Sequence, residues 1–426
     1  MLIKNLTFQT LIAALAGVVL ATIIAEPAWL TAPEKPAFYE LIIMLKQVFL
    51  AALRMLIAPM IFFSLIGGII GIGNVVRLKA LGGITVSYYL STTLIAIGLG
   101  LFAVFFIHPW TAYPPAVEVP ATASHLRMID PGSDSLILVI KQILMQAFTN
   151  PFSALVKMNI LGIVTNAFLI GIAMVLVLPA DSKLFEIVHQ VNQVIYRILG
   201  WVIKLLPIGI FAILFDFSVK LSVGDGHSAD FLTQLIQFAG LVVALTLIHG
   251  LLVLPLIGWF FARRSPVDTL RKIARPLLVA FSTSSSSATL PVSMQTCDET
   301  LKINPSVSSF VLPLGATMNM DGTALFEAVA AIFLAYLYGI ELSNVAIFTV
   351  FFMSMVSSIG APGMPTASMS GMQMVLLAVG IPLEAIAILL IIERPLDTIR
   401  TALNVEGDLY GAMVVDHQTR SAEGRS

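Results

Sequence analysis

The sequence predicts an all-α integral membrane protein of eight transmembrane helices plus two re-entrant helical hairpins, arranged as inverted repeats. Three observations carry this. Of the 426 residues, 58% are hydrophobic and only 11% charged, where an ordinary globular chain carries about 25% charged residues. Residues 5–25, 80–117, 158–180 and 231–262 contain no Asp, Glu, Lys or Arg, and a bilayer crossing needs roughly 20 apolar residues. Two further charge-free stretches, 276–297 and 342–383, are interrupted at their middles by polar or Gly/Pro-rich sequence.

Composition also excludes several classes. A net charge of −1 points to no nucleic-acid partner and no strongly basic surface domain. The single cysteine, Cys297, rules out an internal disulfide framework and a multi-cysteine zinc site. The first apolar run follows Lys4 without a small-residue cleavage pattern and reads as a retained helix.

Six spans precede Arg263, at roughly 8–25, 38–72, 80–107, 135–180, 184–217 and 231–262, the fourth broken by Asn150-Pro151. Arg77 and Lys79, and the cluster Arg263, Arg264, Arg271, Lys272 and Arg275, occupy short connections that the positive-inside rule assigns to the cytoplasm. Connections near Glu26, around 109–134 and near Asp225 and Asp230 then lie outside. Both termini are expected in the cytoplasm. Lys46 and Arg54 are expected to snorkel from helix ends, and His249, in an apolar run, to be an interhelical donor and not a metal ligand.

Beyond Arg275 the pattern changes. The stretch 276–297 is interrupted by Ser282-Thr283-Ser284-Ser285-Ser286-Ser287, a poor centre for a lipid-facing helix, and reads as two half-helices meeting at a polar tip. The stretch 342–383 is broken at Ser357-Ser358-Ile359-Gly360-Ala361-Pro362-Gly363-Met364-Pro365. Each is followed by a helix with buried charge: 305–336, holding Asn319-Met320-Asp321-Gly322-Thr323, and 384–415. Hairpin plus polar helix, twice, from opposite sides, is an inverted repeat. Non-helical backbone at membrane depth is tolerated where it lines a cavity or is buried in protein, so matched interruptions point to a solute site. Small residues at one tip could serve helix packing alone; two tips, each before a charged helix, favour the site.

In the last helix Glu393, Asp397, Arg400, Asn404 and Asp408 step by 3 or 4 residues and form one stripe. One charged side chain at a helix centre costs about 2.5–3.5 kcal/mol on insertion scales, so such a stripe faces a cavity and marks a solute or ion pathway. An Asp397–Arg400 pair that only orients helices is the plain alternative, and Asn404 and Asp408, without a basic partner in the stripe, weigh against it. The serine run has no His or Lys arranged as nucleophile and base, so no enzyme is expected. Pro395 is expected to kink the helix.

The run Leu53-Arg54-Met55-Leu56-Ile57-Ala58-Pro59, the serine-rich tip at 284–291, Gly315-Ala316-Thr317-Met318-Asn319-Met320-Asp321-Gly322-Thr323 and Arg400-Thr401-Ala402-Leu403-Asn404-Val405-Glu406-Gly407-Asp408 follow one another in this order. Together they resemble the dicarboxylate/amino acid:cation symporter family, whose members include sodium-coupled glutamate/aspartate transporters, over essentially the whole chain. The resemblance implies a glutamate-transporter-like fold and a symporter importing acidic amino acids with sodium by alternating access. It implies that Arg400 pairs the substrate's side-chain carboxylate, Asp397 takes its ammonium, and Asn404 and Thr323 hold its main-chain carboxylate. Thr401 belongs to the same set, with Ser285 and Ser286 as donors in the first tip and Gly363 and Met364 in a lid at the second.

For the coupling ion, the resemblance implies one sodium at Asp408 with Gly315, Asn319 and Asn404. A second lies among Thr317, Met320, Ser358 and Ala361. A third uses Tyr89, Thr92, Thr93, Asn319 and Asp321, and Tyr89 and Thr92 share a helix face. Charge arithmetic agrees independently: ionised Asp321, Glu393, Asp397 and Asp408 against Arg394 and Arg400 leave −2, and an anionic substrate adds to it. Bound cations or protons are then a physical requirement.

Where family members place a second arginine, this chain has Ser284 and Thr398, and Arg394, at i,i+3 from Asp397, is the substitute. By resemblance, residues 1–72 and 109–220 form a scaffold, 73–108 and 221–416 a transport domain, and 417–426 a cytoplasmic tail. The same resemblance implies a homotrimer in membrane lipid, in the plasma or bacterial inner membrane. A proton-coupled glutamate or C4-dicarboxylate carrier is the alternative within the family, and an anion channel the alternative from another class.

Overall fold

The computed structural model describes residues 6–26, 28–31, 35–76, 80–107, 110, 141, 144–145, 147–223, 228–360, 368–382, 385–390 and 392–423. Every regular element among them is helical. In chain order these are α1 Leu6–Ile24, α2 Ala28–Thr31, α3 Ala37–Val76, α4 Ala80–Ile107, α5 Pro151–Val156 and α6 Ile160–Val177. Then come α7 Lys183–Lys204, α8 Leu206–Val223, α9 Ser228–Ile248, α10 Leu254–Ala262, α11 Pro266–Thr283 and α12 Ser286–Thr296. The chain continues through α13 Pro305–Met318, α14 Asp321–Leu337, α15 Asn344–Gly360, α16 Ser368–Ala378, α17 Ile386–Leu389 and α18 Glu393–Glu423.

Among the described residues, four stretches are long and apolar enough to cross a membrane: 37–71, 81–107, 233–262 and 305–337. The pair α7 and α8, bent by 53°, passes the same test together. The expected break at Asn150-Pro151 is real. The Asn150 side chain accepts from the amides of Phe152 and Ser153 at 3.0 and 3.2 Å and so caps α5, with Pro151 at the first helical position, where no donor is missed.

Around α3 pack α6, α7 and α8, and α1 lies along α8. Helix α7 turns Phe185, Val188, Asn192, Ile195, Leu199 and Val202 inward on one face, the 3–4 residue period of a half-buried helix. Lys46 is not a snorkelling residue at a helix end. It lies within α3 and pairs with Asp216 of α8 at 2.7 Å, where Tyr39 donates to the other carboxylate oxygen at 2.7 Å. Burying the carboxylate demands partners, and these two supply them.

The other centre of packing is α18, which touches α4, α10, α11, α13 and α14. At the first interrupted stretch, α11 and α12 pack together across a two-residue turn at Ser284 and Ser285. Ser284 takes the left-handed conformation (φ 50°, ψ 34°), unusual for a residue with a side chain. Ser285 caps α12 by accepting from the Ala288 amide at 3.1 Å. The arms of the second interrupted stretch, α15 and α16, also pack on one another; its tip, with Ala361, Gly363 and Met364, lies outside the described residues.

Two expectations are corrected. The charged segment 305–336 is not one helix, because the backbone leaves helical geometry at Asn319 (φ −107°, ψ 81°) and Met320 (φ −118°, ψ 58°). The Asn319 side chain is engaged with α18 at that point. Pro395 does not kink the last helix: α18 starts at Glu393, so the proline sits in its first turn, where its missing N–H costs nothing.

Candidate functional site

The stripe predicted along the last helix is buried at every position: Glu393, Asp397, Arg400, Asn404 and Asp408. Arg400 is 1% exposed. Its guanidinium lies 3.8 Å from the ring centroid of Phe326 on α14, a favourable stack for a desolvated cation. Nη2 donates to Glu393 Oε1 at 2.7 Å, to Ser368 Oγ at 3.2 Å and to Asp397 Oδ1 at 3.5 Å. Ser368 also donates to Glu393 Oε1 at 2.6 Å. Nε and Nη1 have no hydrogen-bond partner among the described residues, so a buried guanidinium keeps donors for a further anion.

The unwound segment before α14 fits against α18 beside Arg400. Gly322 is required there, since a Cβ at this position would come within 2.9 Å of the Arg400 carbonyl oxygen. This approach lets the Gly322 amide donate to Asn404 Oδ1 at 2.8 Å and brings Asn404 Nδ2 to 3.5 Å from Thr323 Oγ1. Thr323, Asn404, Arg400 and Asp397 are thus brought together. Thr401 is buried on the same helix, and Ser285 and Ser286 are buried at the start of α12, which packs against α18.

Of the three groups expected to hold cations, two have residues in mutual contact. Asn319 Nδ2 donates to Asp408 Oδ1 at 3.0 Å and approaches the Asn404 carbonyl at 3.5 Å. Gly315 lies against the same carboxylate, because any Cβ there would overlap Asp408 Oδ1 and the Tyr89 hydroxyl. In the other, Thr93 Oγ1 donates to Asp321 Oδ1 at 2.7 Å, and Thr92 Oγ1 lies 3.4 Å from both Asp321 Oδ1 and Asn319 Oδ1 and 3.1 Å from the Tyr89 carbonyl. The Tyr89 hydroxyl itself turns to the Val311 carbonyl at 2.8 Å. The carboxylate, hydroxyl and carbonyl oxygens of these groups are the ligand type a hard cation takes. Of the remaining group, the Thr317 and Ser358 hydroxyls bond back to their own helices, at Leu314 and Met355.

Four side chains at the site escaped the sequence reading or were given other roles. Glu393, in the stripe by spacing, is the nearest acid to Arg400, ahead of Asp397. His249 Nε2 lies 3.1 Å from Asp321 Oδ2; it makes an interhelical contact, and its acceptor is one of the residues expected to hold a cation. Ser368 bridges Arg400 and Glu393. Glu327, fully buried on α14, accepts from Ser357 Oγ at 2.9 Å through Oε1, and its Oε2 has no partner among the described residues. Its spacing of four residues from Thr323, on one helix face, was the available signal. Arg394, expected as the substitute arginine, is half-buried, and its Nε has no partner among the described residues.

Among the described residues, Asp321, Glu327, Glu393, Asp397 and Asp408 are all buried, and Arg400 is the one arginine buried with them. Such an acidic excess is stable only with cations or protons bound.

The profile of the sodium:dicarboxylate symporter family matches residues 6–418. A neutral amino acid transporter B(0) of Oryctolagus cuniculus is 33% identical over 405 residues, covering 89% of this chain and 74% of the relative. A putative sodium-dependent excitatory amino acid transporter of Caenorhabditis elegans is 32% identical over 414 residues, covering 87% and 81%. Excitatory amino acid transporter 2 of Rattus norvegicus is 30% identical over 451 residues, covering 95% and 78%.

Proposed function

Because the chain belongs to the sodium:dicarboxylate symporter family, and is thus an integral membrane transporter and not an enzyme, we propose that it imports acidic amino acids, glutamate or aspartate, coupled to sodium. Relatives named for neutral and for excitatory amino acids match it about equally well, so the choice of substrate rests on the site. The observation that carries it is Arg400: a buried guanidinium with two nitrogens that have no partner among the described residues, next to the carboxylate of Asp397. A cation and an anion so close complement an ammonium and a side-chain carboxylate on one small molecule.

In this mechanism Arg400 orients the side-chain carboxylate, Asp397 the ammonium, and Thr323 with Asn404 the main-chain carboxylate. Ser285, Ser286 and Thr401 complete the pocket, and Gly363 and Met364 belong to the lid over it. Sodium ions enter as co-transported cargo at the Asp408 group, at the Asp321 group, and between Thr317, Met320, Ser358 and Ala361. They offset the acidic excess that substrate would otherwise deepen. The fold is then eight spans and two re-entrant hairpins. A transport domain of 73–108 and 221–416 moves against a scaffold of 1–72 and 109–220, in a homotrimer with both termini cytoplasmic, in the plasma or bacterial inner membrane.

A proton as coupling ion is the second reading, and Glu327 Oε2, without a partner among the described residues, favours it, since a proton there satisfies a buried carboxylate. Binding of labelled aspartate to purified protein, in sodium and in choline at several pH values, tests both. Binding that needs sodium and is displaced by glutamate but not by alanine supports the proposal; binding indifferent to sodium and strengthened by acid supports proton coupling.

A further inference from the structure

We infer that His249 is a positioning residue for a coupling cation: its Nε2–H holds the Asp321 carboxylate so that Oδ1 faces Thr92, Thr93 and Asn319. The inference rests on the sodium-coupled reading above. Both side chains are fully buried, with Nε2 3.1 Å from Oδ2. The opposite oxygen, Oδ1, takes Thr93 at 2.7 Å and Thr92 at 3.4 Å. One carboxylate thus has one oxygen committed to the imidazole and the other to the hydroxyls that a cation would share.

The backbone is built for this contact. His249 opens a π turn, His249–Val253, inside a crossing that is α-helical on both sides. A π turn inserts an extra residue and shifts the phase of the side chains, which is why such turns mark functional positions. Here it lets His249 face α14 while Gly250, next in sequence, faces α18; a Cβ on Gly250 would come within 2.9 Å of Glu406 Oε2. The ring's other nitrogen, Nδ1, has no hydrogen-bond partner among the described residues, so the tautomer with its proton on Nε2 satisfies more of the local hydrogen bonding.

With its proton aimed at Asp321, Nε2 is not itself available as a ligand. The threonine hydroxyls can rotate to turn lone pairs toward a cation, whereas the carboxylate must not turn away. Without the imidazole donor, Oδ2 becomes a buried acceptor with no partner, and the carboxylate is free to reorient. Ion binding must then bear the cost of ordering it. Groups that orient a metal ligand typically contribute about 10–100-fold to ion affinity.

The test compares wild type with His249→Gln, which keeps an N–H donor, and with His249→Phe, which keeps volume and removes the donor. Thermal unfolding of the purified full-length proteins is followed against sodium concentration, with choline balancing ionic strength and no organic substrate present. The sodium needed for half-maximal stabilisation should rise about tenfold or more in His249→Phe and stay within about threefold of wild type in His249→Gln. Should the phenylalanine variant not be recovered, His249→Leu carries the same expectation. A sodium response in the donor-free variant equal to wild type, or equal impairment of both variants, overturns the inference. A wild type with no sodium response overturns the sodium-coupled reading, and the inference with it.

Discussion

Arg400 Nη2 lies 2.7 Å from Glu393 Oε1, seven residues earlier on the same helix, and only 3.5 Å from Asp397 Oδ1. Seven residues are almost two turns, about 10 Å along the axis, a gap bridged by two extended side chains. Glu393 therefore holds one edge of the guanidinium, while Nε and Nη1 have no partner among the described residues.

Glu393→Gln follows from that pair. It removes the buried counter-charge but keeps an acceptor, so the substrate-free protein should lose on the order of 2–3 kcal/mol of stability. Aspartate, by supplying the missing carboxylate, should restore more stability than it adds to wild type. Thermal melts with and without aspartate in saturating sodium check this; an unchanged substrate-free melt would show that Glu393 does not carry Arg400.

Arg400→Cys removes the cation for a side-chain carboxylate and leaves the ammonium site at Asp397 intact. Acidic substrates should be lost, and small neutral amino acids should gain in competition assays. Undiminished aspartate and glutamate binding in this variant contradicts the assignment.

The cation groups predict a linkage. Asp408→Asn and Asp321→Asn should weaken aspartate binding chiefly by raising the sodium required, since ion and substrate affinities are coupled reciprocally. Gly315→Ala drives a methyl group onto the Asp408 carboxylate and the Tyr89 hydroxyl, an overpacking of about 1–3 kcal/mol, and should shift sodium dependence the same way. Sodium titrations of aspartate binding read all three, and an unchanged midpoint throughout would remove Asp408 and Asp321 from the ion path.

Asp397 separates amino acids from dicarboxylates. Succinate has no ammonium to meet Asp397, so the aspartate's charge faces a second carboxylate instead of a cation, at a cost of about 2–5 kcal/mol, or roughly 30-fold to several thousand-fold in affinity. Aspartate should outcompete succinate by at least that order in wild type, and Asp397→Ser should narrow or reverse the gap. Equal competition in wild type favours the dicarboxylate alternative.

How much of this was legible in the sequence follows from range. Charge-free runs, the polar tip at Ser284 and Ser285 and the buried stripe are local patterns with a fixed period, and they stand in the structure where the period puts them. The break at Asn319 and Met320 has no proline or glycine at either residue to announce it; what accompanies it is a hydrogen bond to Asp408, 89 residues away. The His249–Asp321 contact spans 72 residues and the Lys46–Asp216 pair 170. Such pairings depend on which helices meet, and no spacing rule encodes that. Glu393 was visible in the stripe but not as the first partner of Arg400, because side-chain reach, and not the i,i+3 rule, decides that contact.

The most direct measurement is uptake of labelled aspartate into proteoliposomes, with inward sodium and proton gradients imposed separately. A sodium-coupled symporter of acidic amino acids accumulates aspartate above equilibrium in the sodium gradient alone, saturably, with inhibition by glutamate and little by alanine or succinate. Accumulation that follows only the proton gradient, or that alanine or succinate inhibits as well as glutamate does, contradicts the account.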